Sequence, residues 1–282
     1  MRNTQRSQKI AFFLMFLATL LIVVPVGLIV VIIIQKGLPA INWQFLSDIP
    51  RQGMRAGGIF PAIVGTFYLV LGAIIFALPI GLLAAIYLSE YAKDNLLNRI
   101  IKLAIVNLSG VPSVVYGLFG LALFVVFLKF GASILSGSLT LGIMILPIII
   151  TTSREALESV PQSFREVSLS LGASKWQTIR HIVLPNAIPG ILTGTILGLG
   201  RAAGETAPIL FTVAAFYLPQ LPKSIFDQAM ALPYHLYVIS TQVPNVDEKV
   251  RYGTALVLLF LVLMMNLVAI IIRTNFRKKK KW

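Results

Sequence analysis

Six long apolar stretches, separated by shorter polar segments, dominate the pattern of this chain. They cover residues 10–34, 60–88, 105–130, 134–152, 184–215 and 254–272. A transmembrane helix needs about 20 predominantly apolar residues, and every stretch is close to or above that length. The pattern therefore predicts an all-α, polytopic membrane protein with six transmembrane helices and both termini on the same side.

The first apolar stretch follows three basic residues, as it would in a secretory signal peptide. A signal peptide has an apolar region of about 7–15 residues and a small-residue cleavage site. Residues 10–34 are longer than that, and such a site does not precede Gln35. We therefore expect a retained helix, kinked at Pro25. Prolines in later stretches are tolerated where neighbouring helices satisfy the freed backbone groups; they are Pro79, Pro112, Pro147 and Pro208.

Composition and charge agree with a membrane protein. The chain is 57% hydrophobic and 12% charged, whereas soluble domains carry about 25% charged residues. Its net charge of +14 comes from basic residues at the ends of the apolar stretches, which indicates membrane topology and contact with anionic lipid rather than nucleic acid. With cytoplasmic termini, 16 of the 24 Lys and Arg residues face the cytoplasm and 7 face outward.

Several function classes lose support at this point. The chain has no cysteine, which excludes disulfides and thiolate metal sites. Its two histidines, His181 and His235, stand apart from other metal-type ligands, so a metal site is not expected. A Ser/His/Asp constellation at a sensible depth is also missing, which argues against a membrane enzyme.

Two further polar segments have open interpretations. The basic run 278–281 fits a cytoplasmic tail that is either simply solvated or held by anionic headgroups. The outer loop 216–253 has helix-period apolar positions between Lys223 and Gln242, which predicts an interfacial helix. That helix could pack over the bundle or form a docking surface for a soluble partner.

The loop 153–183 between two apolar stretches predicts a pair of short helices. Pro161 suits the first position of a helix, and Phe164, Val167 and Leu171 then share one face. Gly172 supplies a left-handed stop.

Ser174 and Gln177 have the spacing of a capping box that starts the second helix. An apolar stripe follows at Trp176, Ile179 and Val183. Because helices this short are marginal alone in water, both must pack, either on this chain or in a groove of a cytosolic partner.

The apolar stretch after this loop contains Arg201 and Glu205, spaced to share one helix face. A charge at the bilayer centre costs about 2.5–3.5 kcal/mol, so the two residues either neutralise each other or line a path. A guanidinium binds tetrahedral oxyanions through two donors, and Thr206 adds a hydroxyl.

Small residues before and after Arg201 allow this helix to pack closely within the bundle or against another subunit; they are Gly190, Gly194, Gly198 and Gly204.

The loop pattern resembles the EAA loop of ABC-importer permeases. That family has E-A-A, three residues, G, nine residues and I-x-L-P; here Glu166-Val-Ser, Gly172 and Ile182-Val-Leu184-Pro185 match the spacing. The resemblance implies a coupling helix that docks in the cleft of an ATPase subunit, with Glu166, Gly172, Leu184 and Pro185 at motif positions. Phe164, Val167 and Leu171 are the expected groove contacts.

ATP hydrolysis is expected in a different chain. A G-x-x-x-x-G-K-[ST] phosphate loop is absent from this sequence. The chain is therefore expected to be non-catalytic and to hold no cofactor itself, while a partner ATPase uses ATP and Mg.

Two further stretches, GRAAGETAPILFT at 200–212 and LPYHLY at 232–237, resemble the phosphate-specific (PstA-type) branch of that family. The resemblance implies a type I ABC-importer permease fold, with segment 1–59 preceding a five-helix core at 60–282. It also implies a bacterial inner-membrane location, a homologous second permease, an ATPase pair and an extracytoplasmic phosphate-binding protein. Arg201, Glu205 and Thr206 would lie on the substrate path.

Two alternatives stay open. A permease for another oxyanion, such as sulfate or molybdate, would share the loop but differ at 190–212. A stand-alone ion-coupled anion carrier belongs to a different class, and the coupling loop and the lack of an obvious inverted repeat count against it.

Overall fold

The structure is a computed structural model that describes residues 2–278, with side chains described for 8–276. The described chain is mostly helical. Its α-helices are α1 Arg2–Gly37, α2 Trp43–Ser47, α3 Phe60–Ile86, α4 Leu96–Leu108, α5 Ser113–Gly120, α6 Ile134–Glu158, α7 Gln162–Ser170, α8 Lys175–Thr178, α9 Leu184–Gly204, α10 Ala207–Thr212, α11 Leu232–Thr241 and α12 Glu248–Lys278. Three π-helical segments extend α3, α5 and α8, namely Tyr87–Tyr91, Leu121–Phe127 and Ile179–Val183. A short 3-10 turn, Leu38–Ala40, follows α1, and a two-stranded antiparallel hairpin pairs β1 Pro50–Arg51 with β2 Ala56–Gly57.

Five helical segments of the described chain are long and apolar enough to cross a membrane, and the bent pair α4–α5 makes a sixth candidate. The course of α3 and α6 shows why the sixth is needed. Gly72 of α3 lies against Ser138 of α6, and Gly81 lies against Ile149 further along. The two helices therefore run parallel, so the chain between them has to cross back. This confirms the predicted all-α bundle of six membrane helices.

The third apolar stretch differs from the prediction of one span at 105–130. Its helix begins earlier, at Leu96, and α4 and α5 meet at a bend of 102°. Pro112 causes the break because it has no N–H and here adopts an extended conformation, with ψ 140°. The hydroxyl of Tyr116 donates to the carbonyl of Leu108 at 2.7 Å and so closes the corner.

The fifth apolar stretch also differs, because 184–215 is not a single helix. Helical structure runs without a gap from Lys175 to Gly204, so the predicted second short helix of the loop is the beginning of this span. The helix then stops one residue before Glu205, whose backbone is extended with ψ 136°. Helix α10 restarts at Ala207, with Pro208 in its first turn.

Most of the buried side chains form one hydrophobic core around α3 and α6. Leu69, Leu141 and Met144 are fully buried there. The segment before α3 contributes Phe45 and Met54 to the same core. A second, smaller core lies at the end of the bundle that carries α7, and it joins α3, α6 and the α8–α9 segment; its members include Ala85, Leu157, Val160, Ile179 and Val183.

The predicted interfacial helix in the loop 216–253 is shorter and more buried than expected. It begins at Leu232 rather than near Lys223. Leu232, Val238 and Ile239 are fully buried against the bundle. This helix therefore packs over the bundle, and its apolar side chains extend the main hydrophobic core.

Among its described residues, helix α1 packs against the rest of the chain near its C-terminal end. Its apolar residues are exposed along the membrane-length part of the helix, and the helix continues through Pro25. Gly37 lies against the backbone of Tyr252 in α12, and Lys36 pairs with Glu248 at 2.7 Å. Residues 279–281 of the predicted basic tail lie outside the described residues.

Candidate functional site

Arg201 and Glu205 form an ion pair at the end of α9. The Nε of Arg201 lies 3.4 Å from Oε1 of Glu205. Sequence spacing predicted two residues on one helical face, whereas Glu205 is the capping residue beyond the helix end. The pair therefore forms across a helix terminus and leaves the other guanidinium nitrogens of Arg201 out of that contact.

The ion pair lies on a partly open face of the chain. The side chains of Arg201 and Glu205 are 29% and 20% exposed. One turn before Arg201, Leu197 is exposed, and an added Cβ at Gly204 would meet no atom within 4 Å. Thr206 is half-buried between α9 and α10. Space therefore exists beside the guanidinium for a small ligand.

Three of the four predicted packing glycines lie between α9 and α6 of this chain. A Cβ on Gly190 would meet Ala156, and one on Gly194 would meet Thr152. Gly198 follows beside Ile145 at ordinary contact distance. Arg201 is one turn further along, so its position depends directly on this helix pair.

Two polar side chains of α12 face α9 and were overlooked in the sequence. Asn266 approaches Gly200, and its buried Oδ1 has no hydrogen-bond partner among the described residues. Arg273 donates to the hydroxyl of Thr193 at 3.2 Å. Asn266 could have been singled out from the sequence, because it is a polar residue within the apolar stretch 254–272.

Helix α7 displays its apolar side chains at the surface. Phe164, Val167 and Leu171 are 37%, 61% and 84% exposed, and none of the residues of α7 is buried. Glu166 is exposed beside them, whereas Leu184 and Pro185 are half-buried where α9 begins. The structure therefore leaves the predicted groove contacts of this helix accessible.

The turn after α7 has the local geometry that the sequence indicates. Gly172 has a φ of +85°, in the left-handed region. The Ser174–Gln177 capping box is present, with the Ser174 N–H donating to Oε1 of Gln177 at 2.7 Å. Helix α7 itself begins one residue later than expected, because Pro161 is its capping residue.

An ion pair that sequence reasoning missed fastens α7 to the bundle. The guanidinium of Arg165 contacts both carboxylate oxygens of Glu90, with a shortest distance of 2.7 Å. The same guanidinium donates to the carbonyls of Leu157 and Val160 at 2.8 and 2.7 Å. Glu90 is 75 positions away, so no local pattern could have connected the two residues.

The described chain shows no group of three or more His, Asp or Glu side chains placed to hold a metal ion. Each histidine has a local environment of its own. The Nδ1 of His181 lies 3.1 Å from the carbonyl of Gln177. His235 is 3% exposed, and burial lowers its pKa to about 4.

The chain is similar to known transport proteins over most of its length. Residues 77–282 match the family described as "Binding-protein-dependent transport system inner membrane component". It is 34% identical to "Probable ABC transporter permease protein YqgI" of Bacillus subtilis, covering 93% of each chain. It is 33% identical to "Phosphate transport system permease protein PstA 1" of Mycobacterium tuberculosis, covering 99% of this chain and 91% of that one.

Solved structures agree on the fold. The MetNI methionine ABC transporter in an inward-facing conformation gives a TM-score of 0.60 at 17% identity, covering 78% of this chain and 94% of that chain. A bacterial ABC transporter involved in the import of alginate gives 0.63 at 15% identity, covering 97% of this chain and 98% of that one. The match over 77–282, together with relatives above 30% identity along nearly the whole length, places this chain among the inner-membrane permeases of binding-protein-dependent ABC transport systems.

Proposed function

We propose that this chain is one permease subunit of an ATP-driven phosphate importer and that Arg201 contacts the anion during its passage. The observation that carries the proposal is the Arg201–Glu205 pair at the break between α9 and α10. Relatives named as phosphate transport permeases support phosphate as the anion.

The chemistry of the pair suits a transient oxyanion site. A guanidinium offers a planar fork of donors that matches two oxygens of a phosphate. Glu205 engages the Nε side of that fork, which leaves the terminal nitrogens for the anion and offsets part of the attraction. A site that binds weakly lets the ion leave again, as transport requires.

The path itself lies between this chain and a second, homologous permease. Arg201 lies on an open face rather than in an enclosed cavity, as expected of one half of a shared path. A cavity of about 660 Å³ lies elsewhere, between α3, α6 and the loop around Lys223, and its lining is largely apolar.

Energy enters through α7. A cytosolic ATPase pair, which uses ATP and Mg, docks on the exposed face formed by Phe164, Val167 and Leu171. The α7 end of the bundle is then cytoplasmic, as are both termini, in agreement with the excess of basic residues there. An extracytoplasmic binding protein delivers phosphate at the opposite end.

Reconstitution tests this function. The complex of this chain with the second permease, the ATPase subunits and the binding protein is placed in vesicles, and uptake of radioactive phosphate is followed. We expect uptake only with ATP, and no competition from sulfate or molybdate. Competition by those anions would reassign the substrate to another oxyanion. Uptake that survives ATP depletion, in a complex without an ATPase, would refute the importer and favour a stand-alone carrier.

A further inference from the structure

Helix α7 needs a mechanical connection to the membrane helices if it is to transmit force. Most of its apolar side chains are exposed, and none of its residues is fully buried. Two side chains of α7 make polar contacts with other parts of the chain. Ser168 shares a 2.9 Å hydrogen bond with Thr178 at the start of the next helix, and Arg165 reaches the bundle.

Arg165 joins three chain segments at one point. Its guanidinium bonds to Glu90, at the end of α3, and to the carbonyls of Leu157 and Val160, at the end of α6. The side chains of Arg165 and Glu90 are only 12% and 8% exposed. A part-buried guanidinium that bonds to a carboxylate and to two carbonyls is held in a more defined position than an exposed one, because its planar fork fixes the directions of its donors.

Local backbone structure presents Glu90 to this contact. The last turn of the third helix is π-helical over Tyr87–Tyr91. Such a wide turn shifts the direction of the side chains that follow it and is common at functional positions. The smaller hydrophobic core lies next to the pair, with Leu157 and Val160 among its members, so the ends of α3 and α6 are packed against each other there.

We propose that the Arg165–Glu90 pair is the link through which displacement of α7 reaches α3 and α6, and that Arg165 is a positioning residue for transport. This rests on the proposed function, since it takes α7 to be the part of the chain that the ATPase moves. From α6 the displacement reaches α9 through the contacts of Gly190 with Ala156 and of Gly194 with Thr152. Arg201 lies on α9 about 11 Å beyond Gly194, at 1.5 Å per residue.

The test uses the complete complex in vesicles and measures phosphate uptake and ATP hydrolysis in the same preparation. Glu90→Gln keeps the shape of the side chain and removes its charge. Arg165→Lys keeps the charge and loses the fork that reaches several acceptors at once. We expect each variant to retain the ATPase subunits and to hydrolyse ATP, while the uptake per ATP hydrolysed falls about tenfold.

A matched control comes from an exposed pair at the same end of the bundle. Asp94 lies 4.0 Å from Arg99, and the two side chains are 86% and 70% exposed. Because exposed pairs contribute little, Asp94→Asn should leave uptake per ATP unchanged. The Glu90→Gln/Arg165→Lys double variant should fall no further than the worse single variant, since the two residues act as one unit.

The outcomes distinguish failure of the proposed Arg165–Glu90 link from failure of the proposed importer function on which it rests. A wild-type complex without ATP-dependent phosphate uptake would refute the proposed function. With an active wild type, an unchanged ratio in both variants would refute the link. So would a parallel loss of uptake and hydrolysis caused by release of the ATPase, because Arg165 would then only hold the docking helix in shape.

Discussion

The Nε of Arg201 lies 3.4 Å from Oε1 of Glu205 although the helix that carries Arg201 ends before Glu205 is reached. The pair thus lies across the end of a helical segment, Lys175–Gly204, that is long and apolar enough to span a membrane. An unpaired charge there would be costly. Neutralisation and anion contact, which the sequence left as alternatives, are therefore compatible in one geometry, because Glu205 occupies only one side of the guanidinium.

Removing the guanidinium tests that geometry. Arg201→Ala should lower phosphate uptake by about 10–100-fold, the range that corresponds to losing charge-assisted hydrogen bonds of about 1.5–3 kcal/mol. Arg201→Lys should recover only part of the uptake, because an ammonium lacks the planar fork. Uptake of radioactive phosphate by the reconstituted complex is the measurement. Assembly of the complex should be unchanged in both variants, and normal uptake by Arg201→Ala would contradict the anion contact.

The exposed apolar face of α7 predicts an effect on subunit association. Leu171→Ser should weaken retention of the ATPase by about 10–100-fold, since burying a leucine side chain in an interface contributes about 1.5–3 kcal/mol. Co-purification of the ATPase subunits with the tagged permease is the readout. Leu96→Ser is a matched control, because Leu96 is 73% exposed at the same end of the bundle. Equal retention in both variants would show that α7 is not the docking surface.

The turn after α7 depends on a left-handed residue. Gly172→Val should strain the turn by about 1–2 kcal/mol, because φ is +85° there and an added Cβ would meet open space. The cost therefore comes from the backbone and not from a clash. We expect a partial loss of ATPase retention in Gly172→Val, measured by co-purification. Gly172→Asn should be milder, since asparagine tolerates this region, and an identical loss in both would argue against a backbone origin.

The contact between α6 and α9 predicts that two glycines of α9 differ in how much stability is lost when each is replaced by alanine. A Cβ on Gly194 would collide with Thr152, whose hydroxyl is bonded to the carbonyl of Ile148, whereas Gly204 faces open space. Gly194→Ala should therefore destabilise the protein by about 1–3 kcal/mol, and Gly204→Ala should be near neutral. Thermal unfolding of the detergent-purified protein distinguishes them, and equal melting temperatures would contradict the packing.

The buried His235 predicts a pH dependence of stability. Burial lowers its pKa to about 4 in the folded protein, below the ordinary value near 6.5. The neutral form is therefore favoured by folding, and its contribution is complete above pH 6.5. This contribution to the free energy of unfolding, on the order of 3 kcal/mol in full, is lost as the pH falls from 6.5 towards 4. Melting temperatures between pH 7 and 4.5 should fall further for the wild type than for His235→Gln. Parallel curves would show that His235 does not titrate on unfolding.

Local sequence patterns were sufficient to predict those structural features that depend only on residues adjacent in the chain. Membrane-length apolar stretches, the left-handed Gly172 and the Ser174–Gln177 capping box all follow from a few adjacent positions. The prediction of six membrane helices is confirmed for the same reason. Hydropathy could not show where the helices end, because proline breaks the hydrogen-bond ladder without changing the apolar character of the stretch. That is why the bend before α5 and the end of α9 were missed.

The sequence by itself therefore determined the class of protein, the number of membrane crossings and the identity of the charged residues within them. Only the tertiary structure decided that Glu90 meets Arg165, that Asn266 faces Gly200, and that α9 packs on α6 through glycine. These contacts join residues far apart in the chain. Their geometry depends on how parallel and antiparallel helices align, and helix periodicity alone carries no information about that alignment.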